Sequence, residues 1–198
     1  MLALITTVTE GYAGISIHGV QVALLEQQAE ALGLLVQKVS IPKTCTNEEY
    51  ESRMLEALSI QHSRGARYAI AGDVFREDVR AYRESLFARA GLDGVCPLWG
   101  RDTSELARSA IAAGFRSVVT CVDSRVLDGS FAGRRFDLEF LTDLLAAADP
   151  CGENGEFHTF VYDGPGFRDR ISYELGEVVL RDEHFYYADL ILLTLTNL

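Results

Sequence analysis

The hydrophobic positions of this chain change period from segment to segment. Leu2-Ala3-Leu4-Ile5-Thr6-Thr7-Val8 is a continuous apolar and β-branched run, the pattern of a strand buried in a parallel sheet. A loop from Glu10 to Gly19 follows. Val20, Leu24, Leu25, Ala29 and Leu32 then recur at helical spacing, with Gly33 where a helix C-cap glycine belongs. Val36 to Ile41 predicts the next strand, and Pro42 ends it. Thr46-Asn47-Glu48-Glu49 has the capping-box pattern and opens a helix whose apolar face carries Met54, Leu55 and Leu58. Tyr68-Ala69-Ile70-Ala71 predicts a short buried strand with Gly72-Asp73 at its carboxyl end. The charged stretch from Glu77 to Glu84 predicts a largely solvated helix with room for one arginine turned inward. Asp102-Thr103-Ser104-Glu105 is a second capping box; its helix closes near Gly114, and Phe115 to Val122 is the next strand.

This alternation of strand and helix predicts an α/β fold built on a parallel sheet covered by helices. From His158 onward the pattern changes to short strand-like runs broken by Asp163-Gly164-Pro165 and Arg181-Asp182-Glu183-His184, as in an antiparallel meander. A boundary is therefore expected near Gly94 to Trp99, with an α/β domain over 1–94 and a smaller α+β domain over 95–198. No internal repeat or low-complexity tract interrupts either part.

Composition narrows the classes of function. The net charge of −11 argues against a sequence-independent grip on nucleic acid, which needs a basic surface to displace counterions. It leaves nucleotides open, because a local cluster of N–H groups binds phosphate on an acidic protein as well as on a basic one. No stretch approaches the ~20 apolar residues of a membrane span. Met1-Leu2-Ala3-Leu4-Ile5 is too short and lacks the basic flank of a secretory leader. Cys45, Cys96, Cys121 and Cys151 are far apart and form no CxxC, so free thiols in a cytoplasmic protein and no metal site are expected.

The densest polar cluster is Asp149-Pro150-Cys151-Gly152-Glu153-Asn154-Gly155-Glu156-Phe157-His158-Thr159. Gly152 and Gly155 let the backbone turn sharply, Glu153 and Glu156 lie three apart across that turn, and His158 and Thr159 begin a strand. Such a loop offers carboxylates, an amide and an imidazole to one small polar ligand. A hairpin with solvated acids is the equally weighted alternative. Gly72-Asp73, just past a parallel strand, lies at the edge where α/β sheets bind ligands; an Asp at a helix N-cap is the plainer account. His18, ahead of the first helix, is a ligand contact or a local cap. Trp99 reads as junction packing, and Arg134-Arg135 as a surface pair or an anion contact. The motifs GxxxxGK[ST], GxGxxG and GxSxG are all absent.

The segment from Asp149 to Val161 resembles the diphthine–ammonia ligase family, which belongs to the adenine nucleotide alpha-hydrolase-like PP-loop ATPases. Ser16-Ile17-His18-Gly19-Val20, Ala71-Gly72-Asp73-Val74-Phe75, Cys96-Pro97-Leu98-Trp99-Gly100 and Asp163-Gly164-Pro165 extend the likeness along most of the chain in the family's order. The resemblance implies a nucleotide-binding (HUP/PP-loop type) α/β domain followed by a smaller domain carrying the acidic motif. It also implies an ATP-dependent ligase, with Mg²⁺, that adenylates a carboxylate and lets ammonia displace AMP to leave an amide; the family's named substrate is diphthine on elongation factor 2. On this likeness Glu153 and Glu156 orient substrate or ammonia, while Asn154, His158 and Thr159 bind substrate. Gly72 and Asp73 match the nucleotide-side motif, and His18 is grouped with them. The expected partners are ammonia and a carboxylate, small or protein-borne, with a homodimer possible and neither nucleic acid nor membrane.

The family opens with a strand, a Ser-Gly-Gly-Lys-Asp-Ser loop and a helix, whereas this chain opens on what resembles the family's second strand. The difference is about 25–35 residues. It removes the N–H nest for the phosphates and a central strand of the sheet, so the chain is expected to bind ATP weakly and to be poorly stable as it stands. A non-catalytic ligand-binding or regulatory module that keeps the acidic loop is the alternative reading.

Overall fold

The computed structural model describes residues 3–10, 19–144 and 146–193; His18 lies outside them. The chain divides into two compact units. One comprises the described residues up to Glu10 together with Leu34–Asp102; the other comprises those from Gly19 to Gly33 together with Thr103 onward.

The first unit contains β1 (Leu4–Thr9), β2 (Val36–Ile41), helix α2 (Asn47–Ser63), β3 (Tyr68–Ile70), helix α3 (Glu77–Arg89) and β4 (Asp93–Val95). Its strands are parallel, as the sequence pattern predicts, but they form two separate pairs rather than one sheet: β1 with β2, and β3 with β4. Thr46 caps α2 as expected, its hydroxyl accepting from the Glu49 N–H at 3.2 Å. Leu58 of α2 and Leu86 and Phe87 of α3 pack with Ala71 and Leu92 in one core. A smaller core joins Val39, Ile41 and Ala57. Two expectations of burial are corrected. Tyr68 and Ile70 of β3 are 63% and 66% exposed, and all six residues of β1 are only half-buried. Alternation gives the reason for β3: Ala69 and Ala71 turn toward the helices, while the neighbouring positions point the other way, where no described element covers them.

The second unit contains α1 (Val22–Ala31), α4 (Thr103–Ala112), β5 (Arg116–Asp123), α5 (Leu138–Asp143), β6 (Phe157–Asp163), β7 (Tyr173–Arg181) and β8 (Phe185–Leu192). Its sheet has the order β6-β5-β8-β7 and every pairing is antiparallel. The meander expected after His158 is present. β5, which the alternating pattern assigned to a parallel sheet, instead pairs antiparallel with β6 and β8. An apolar run such as Ser117–Val122 satisfies either kind of buried sheet, so its composition does not choose between them. Two cores flank this sheet. In one, Phe136, Phe140 and Phe157 meet with ring centroids 5.2–6.0 Å apart. In the other, Val20 and Leu24 of the early segment pack with Val118, Phe160, Tyr162 and Leu190. Leu24 is fully buried, which contributes about 2 kcal/mol. Helix α1 therefore stands with the second unit, and the first unit runs on to Asp102; the expected division at 94/95 places neither. Among the described residues, no helix is long and apolar enough to cross a membrane.

Candidate active site

The acidic loop of the second unit is pinned at both ends by apolar burial. Ala148 (7% exposed) and Phe157 (3%) belong to the same core, and the Asp123 N–H bonds to the Glu156 carbonyl at 2.9 Å. Between them the backbone closes on itself: the Gly152 N–H donates to the Asp149 carbonyl, and the Gly155 N–H to that of Gly152, both at 2.9 Å.

Two carboxylates hold this shape from inside. Asp149 Oδ2 accepts from the N–H groups of Cys151 (2.9 Å) and Glu153 (3.0 Å). Glu156, only 4% exposed, accepts three hydrogen bonds. Its Oε1 takes the Asp149 N–H at 2.9 Å and the Asn154 amide at 3.0 Å, and its Oε2 takes the Asn154 N–H at 3.0 Å. The loop is thus not a hairpin of solvated acids: Glu156 is an internal staple spanning both sides of the turn. Glu153, half-buried, is the second glutamate of the motif, and its backbone is fixed by Asp149.

His158 and Thr159 follow on β6 at an irregular step in the sheet. Val119 faces Thr159 and Cys121 faces His158, so Thr120 is an extra residue, and its buried hydroxyl donates to the His158 carbonyl at 3.3 Å. Such a bulge re-aims the side chains beside it. The structure therefore gathers Glu153, Asn154, Glu156, His158 and Thr159 around one turn and one strand start.

Sequence reasoning overlooked the pair beside this loop. Asp123, at the end of β5, is held by Arg125 through both carboxylate oxygens, with Nε at 2.9 and 3.1 Å. The Arg125 hydrogen bond holds the Asp123 carboxyl below its usual range, helped by the Arg125 backbone N–H and the nearby charge of His184 and opposed by partial burial. A spacing of two residues, Asp-x-Arg after a strand, was the only available signal. Burial pushes the Cys121 thiol up to about 11, which keeps it protonated inside the sheet. Cys151 sits in the loop itself, its sulfur 3.3 Å from the Thr103 carbonyl. Among the described residues no three His, Cys, Asp or Glu side chains gather as a metal site would require.

Gly72 and Asp73 lie in the first unit, past β3. Asp73 is not a helix cap, since α3 starts after Arg76. It is 6% exposed and ion-paired to Arg83 Nη1 at 2.9 Å. Cys96 stands 4.0 Å from its other oxygen; burial and the Asp73 charge both raise the Cys96 thiol. Trp99 carries the Arg80 guanidinium 4.4 Å above its ring. Arg134 pairs with Asp143 at 2.7 Å and stacks on Phe131.

Residues 102–189 match the family described as diphthamide synthase C-terminal domain, and they include the whole acidic loop and its supporting strands. Over this stretch the chain is similar to the diphthamide synthases. The human diphthine–ammonia ligase is 25% identical over 178 residues, covering 87% of this chain and 66% of its own length. The ligase of Danio rerio is 27% identical over 118 residues, 57% of this chain and 46% of its own. That of Schizosaccharomyces pombe is 30% identical over 102 residues, 48% of this chain and 16% of its own. The chain thus spans about two thirds of the length of its mammalian relatives and less of the other two.

Proposed function

We propose that this chain serves in an ATP-dependent ligase that converts a carboxylate into an amide with ammonia, as the names of its relatives suggest for diphthine. The observation that carries this reading is the carboxylate-stapled loop at the start of β6, inside the stretch that matches the diphthamide synthase C-terminal domain. The staples support different roles for the two glutamates on this reading. Glu156 is a positioning residue, with both oxygens committed to the loop. Glu153 is the group that holds the incoming ammonia and takes up the proton it loses as the C–N bond forms. Asn154, His158 and Thr159 orient the substrate carboxylate.

Gly72 and Asp73 are the nucleotide-side candidates. A side chain built on Gly72 would meet nothing within 4 Å, which leaves the backbone open to close approach. Asp73 brings one carboxylate. That set fits Mg²⁺ bound with phosphates, which takes one or two protein carboxylates and fills its shell with phosphate and water. When bound, ATP supplies the leaving group that activates the carboxylate; the residues of this chain position the reactants.

The test is AMP release by the 198-residue chain joined to a strand, Ser-Gly-Gly-Lys-Asp-Ser loop and helix of the family type at its N-terminus, given ATP, ammonium and diphthine-bearing elongation factor 2. The expected result is AMP in step with amide, with Glu153→Gln lowering kcat by about 10²–10⁴-fold. If AMP is absent while a carboxylate ligand still raises the melting temperature through Glu153, the chain is a binding module and the ligase reading fails.

A further inference from the structure

The two edges of the antiparallel sheet in the second unit are treated differently. At β6 no residue is exposed, and the carbonyls of Val161 and Tyr162 accept from the Gln28 side chain at 2.7 Å and the Ile171 N–H at 2.9 Å. At the other edge, β7 pairs only with β8 among the described residues, and six of its nine residues are exposed. They include Leu175, Val178 and Leu180, at 46%, 43% and 51%. An open edge with apolar side chains invites another strand.

A bulge decides which strand fits. Leu175 faces Leu190 and Val178 faces Ala188, so Gly176 and Glu177 together stand opposite Asp189 and count as one step of the ladder. The bulge brings Leu175, Val178 and Leu180 to one face, and Glu174 and Arg181 to the other. It also makes Val178 the midpoint: Leu175 and Leu180 lie two steps away on either side, Glu174 and Arg181 three. Ser172 and Leu193 form a hydrogen-bonded pair at 3.0 Å, so alternation turns the N–H and C=O groups of Leu175, Val178 and Leu180 toward the open edge.

We propose that β7 pairs antiparallel with β7 of a second copy of this chain, about a two-fold axis that passes through Val178 perpendicular to the sheet. Such an axis keeps each face on its own side, so only residues of one face can meet. In this register Val178 faces its own copy, Leu175 faces the partner's Leu180, and Glu174 faces the partner's Arg181, with each pair made twice. Opposite charges and apolar side chains thus meet along the whole strand, and two four-stranded sheets become one. A slip of two residues one way would set Glu177 against its own copy, which like charge disfavours. This self-complementarity identifies the occupant as the same chain, and it holds whether or not the ligase reading does.

The test follows the full chain by sedimentation and amide hydrogen exchange. Its mass is expected to double between about 1 and about 100 µM, with protection of the Leu175, Val178 and Leu180 amides rising alongside. Glu174→Arg and Arg181→Glu each set like charges against each other at both ends of the strand pair. Each should weaken self-association at least about tenfold while melting like the parent in dilute solution. Mixed in equal amounts, the two variants meet opposite charges again at both ends, and the doubled mass should return. Val178→Lys, which sets two cations at the axis, serves if either variant is unfolded. The proposal is overturned if the parent stays monomeric over this range, which leaves the edge to a strand of another protein. It is also overturned if the doubled mass survives both substitutions, or if the mixture of variants fails to recover it.

Discussion

The three hydrogen bonds to Glu156 make it the residue on which the loop's shape depends. Glu156→Gln replaces an acceptor oxygen by an amide that faces an N–H donor. The expected cost is about 1–3 kcal/mol, seen as an earlier urea midpoint. Glu153→Gln leaves the backbone bond to Asp149 in place and should cost less than Glu156→Gln in the same melt. Equal losses from the two substitutions would contradict the division of roles between them. Asp123 gives a pH signature at the same scale. Its folded pKa lies below the unfolded value, so its contribution is complete above the ordinary carboxylate range and is lost as pH falls through the folded pKa. The gap in urea midpoint between the parent and Arg125→Ala should therefore be constant from neutral pH to about pH 5 and narrow steadily below about pH 4. A gap unchanged at pH 2 would mean that the pair makes no such contribution.

At the scale of elements, the turn at Gly152 and Gly155 separates backbone strain from steric conflict. Both glycines have positive φ, 69° and 88°. A Cβ on Gly152 would lie 2.6 Å from the Phe157 carbonyl, whereas one on Gly155 meets nothing within 4 Å. Gly155→Ala should cost about 1 kcal/mol in a denaturant melt, and Gly152→Ala clearly more, with the loop displaced. Similar midpoints for the two would show that the Phe157 contact relaxes freely. The helices and the candidate loop were largely legible from local chemistry: the Thr46 cap, the glycine after α1 and the dense polar run after Pro150 are all short-range signals. What the sequence could not carry was long-range. Glu156 is a staple only because the chain brings Asp149 and Asn154 to it, and on paper it is indistinguishable from Glu153. The antiparallel partners of β5 and the bulge at Thr120 depend on residues 35 to 66 positions away. The exposure of Tyr68 and Ile70 depends on what stands beside β3, which an apolar run does not encode.

At the scale of the whole molecule, the second unit is discontinuous. The residues that match the diphthamide synthase C-terminal domain begin at 102, yet its core takes Val20 and Leu24 from the early segment. Leu24→Ala should destabilise the chain by about 2–5 kcal/mol, and a fragment starting at Thr103 should be cleaved by protease where the intact chain resists. A fragment as resistant as the parent would show that α1 is dispensable. This discontinuity also sets a schedule for the newborn protein. Gln21, just ahead of α1, bonds to Asp189 across 168 positions of chain. At ribosomal speeds of about 5–20 residues per second, the first helix waits roughly 8–34 s for the strand that covers it. During that interval its leucine face is open to whatever else the cell presents, so the yield of folded protein should depend on chaperone supply and translation speed, with the first helix as the point of capture.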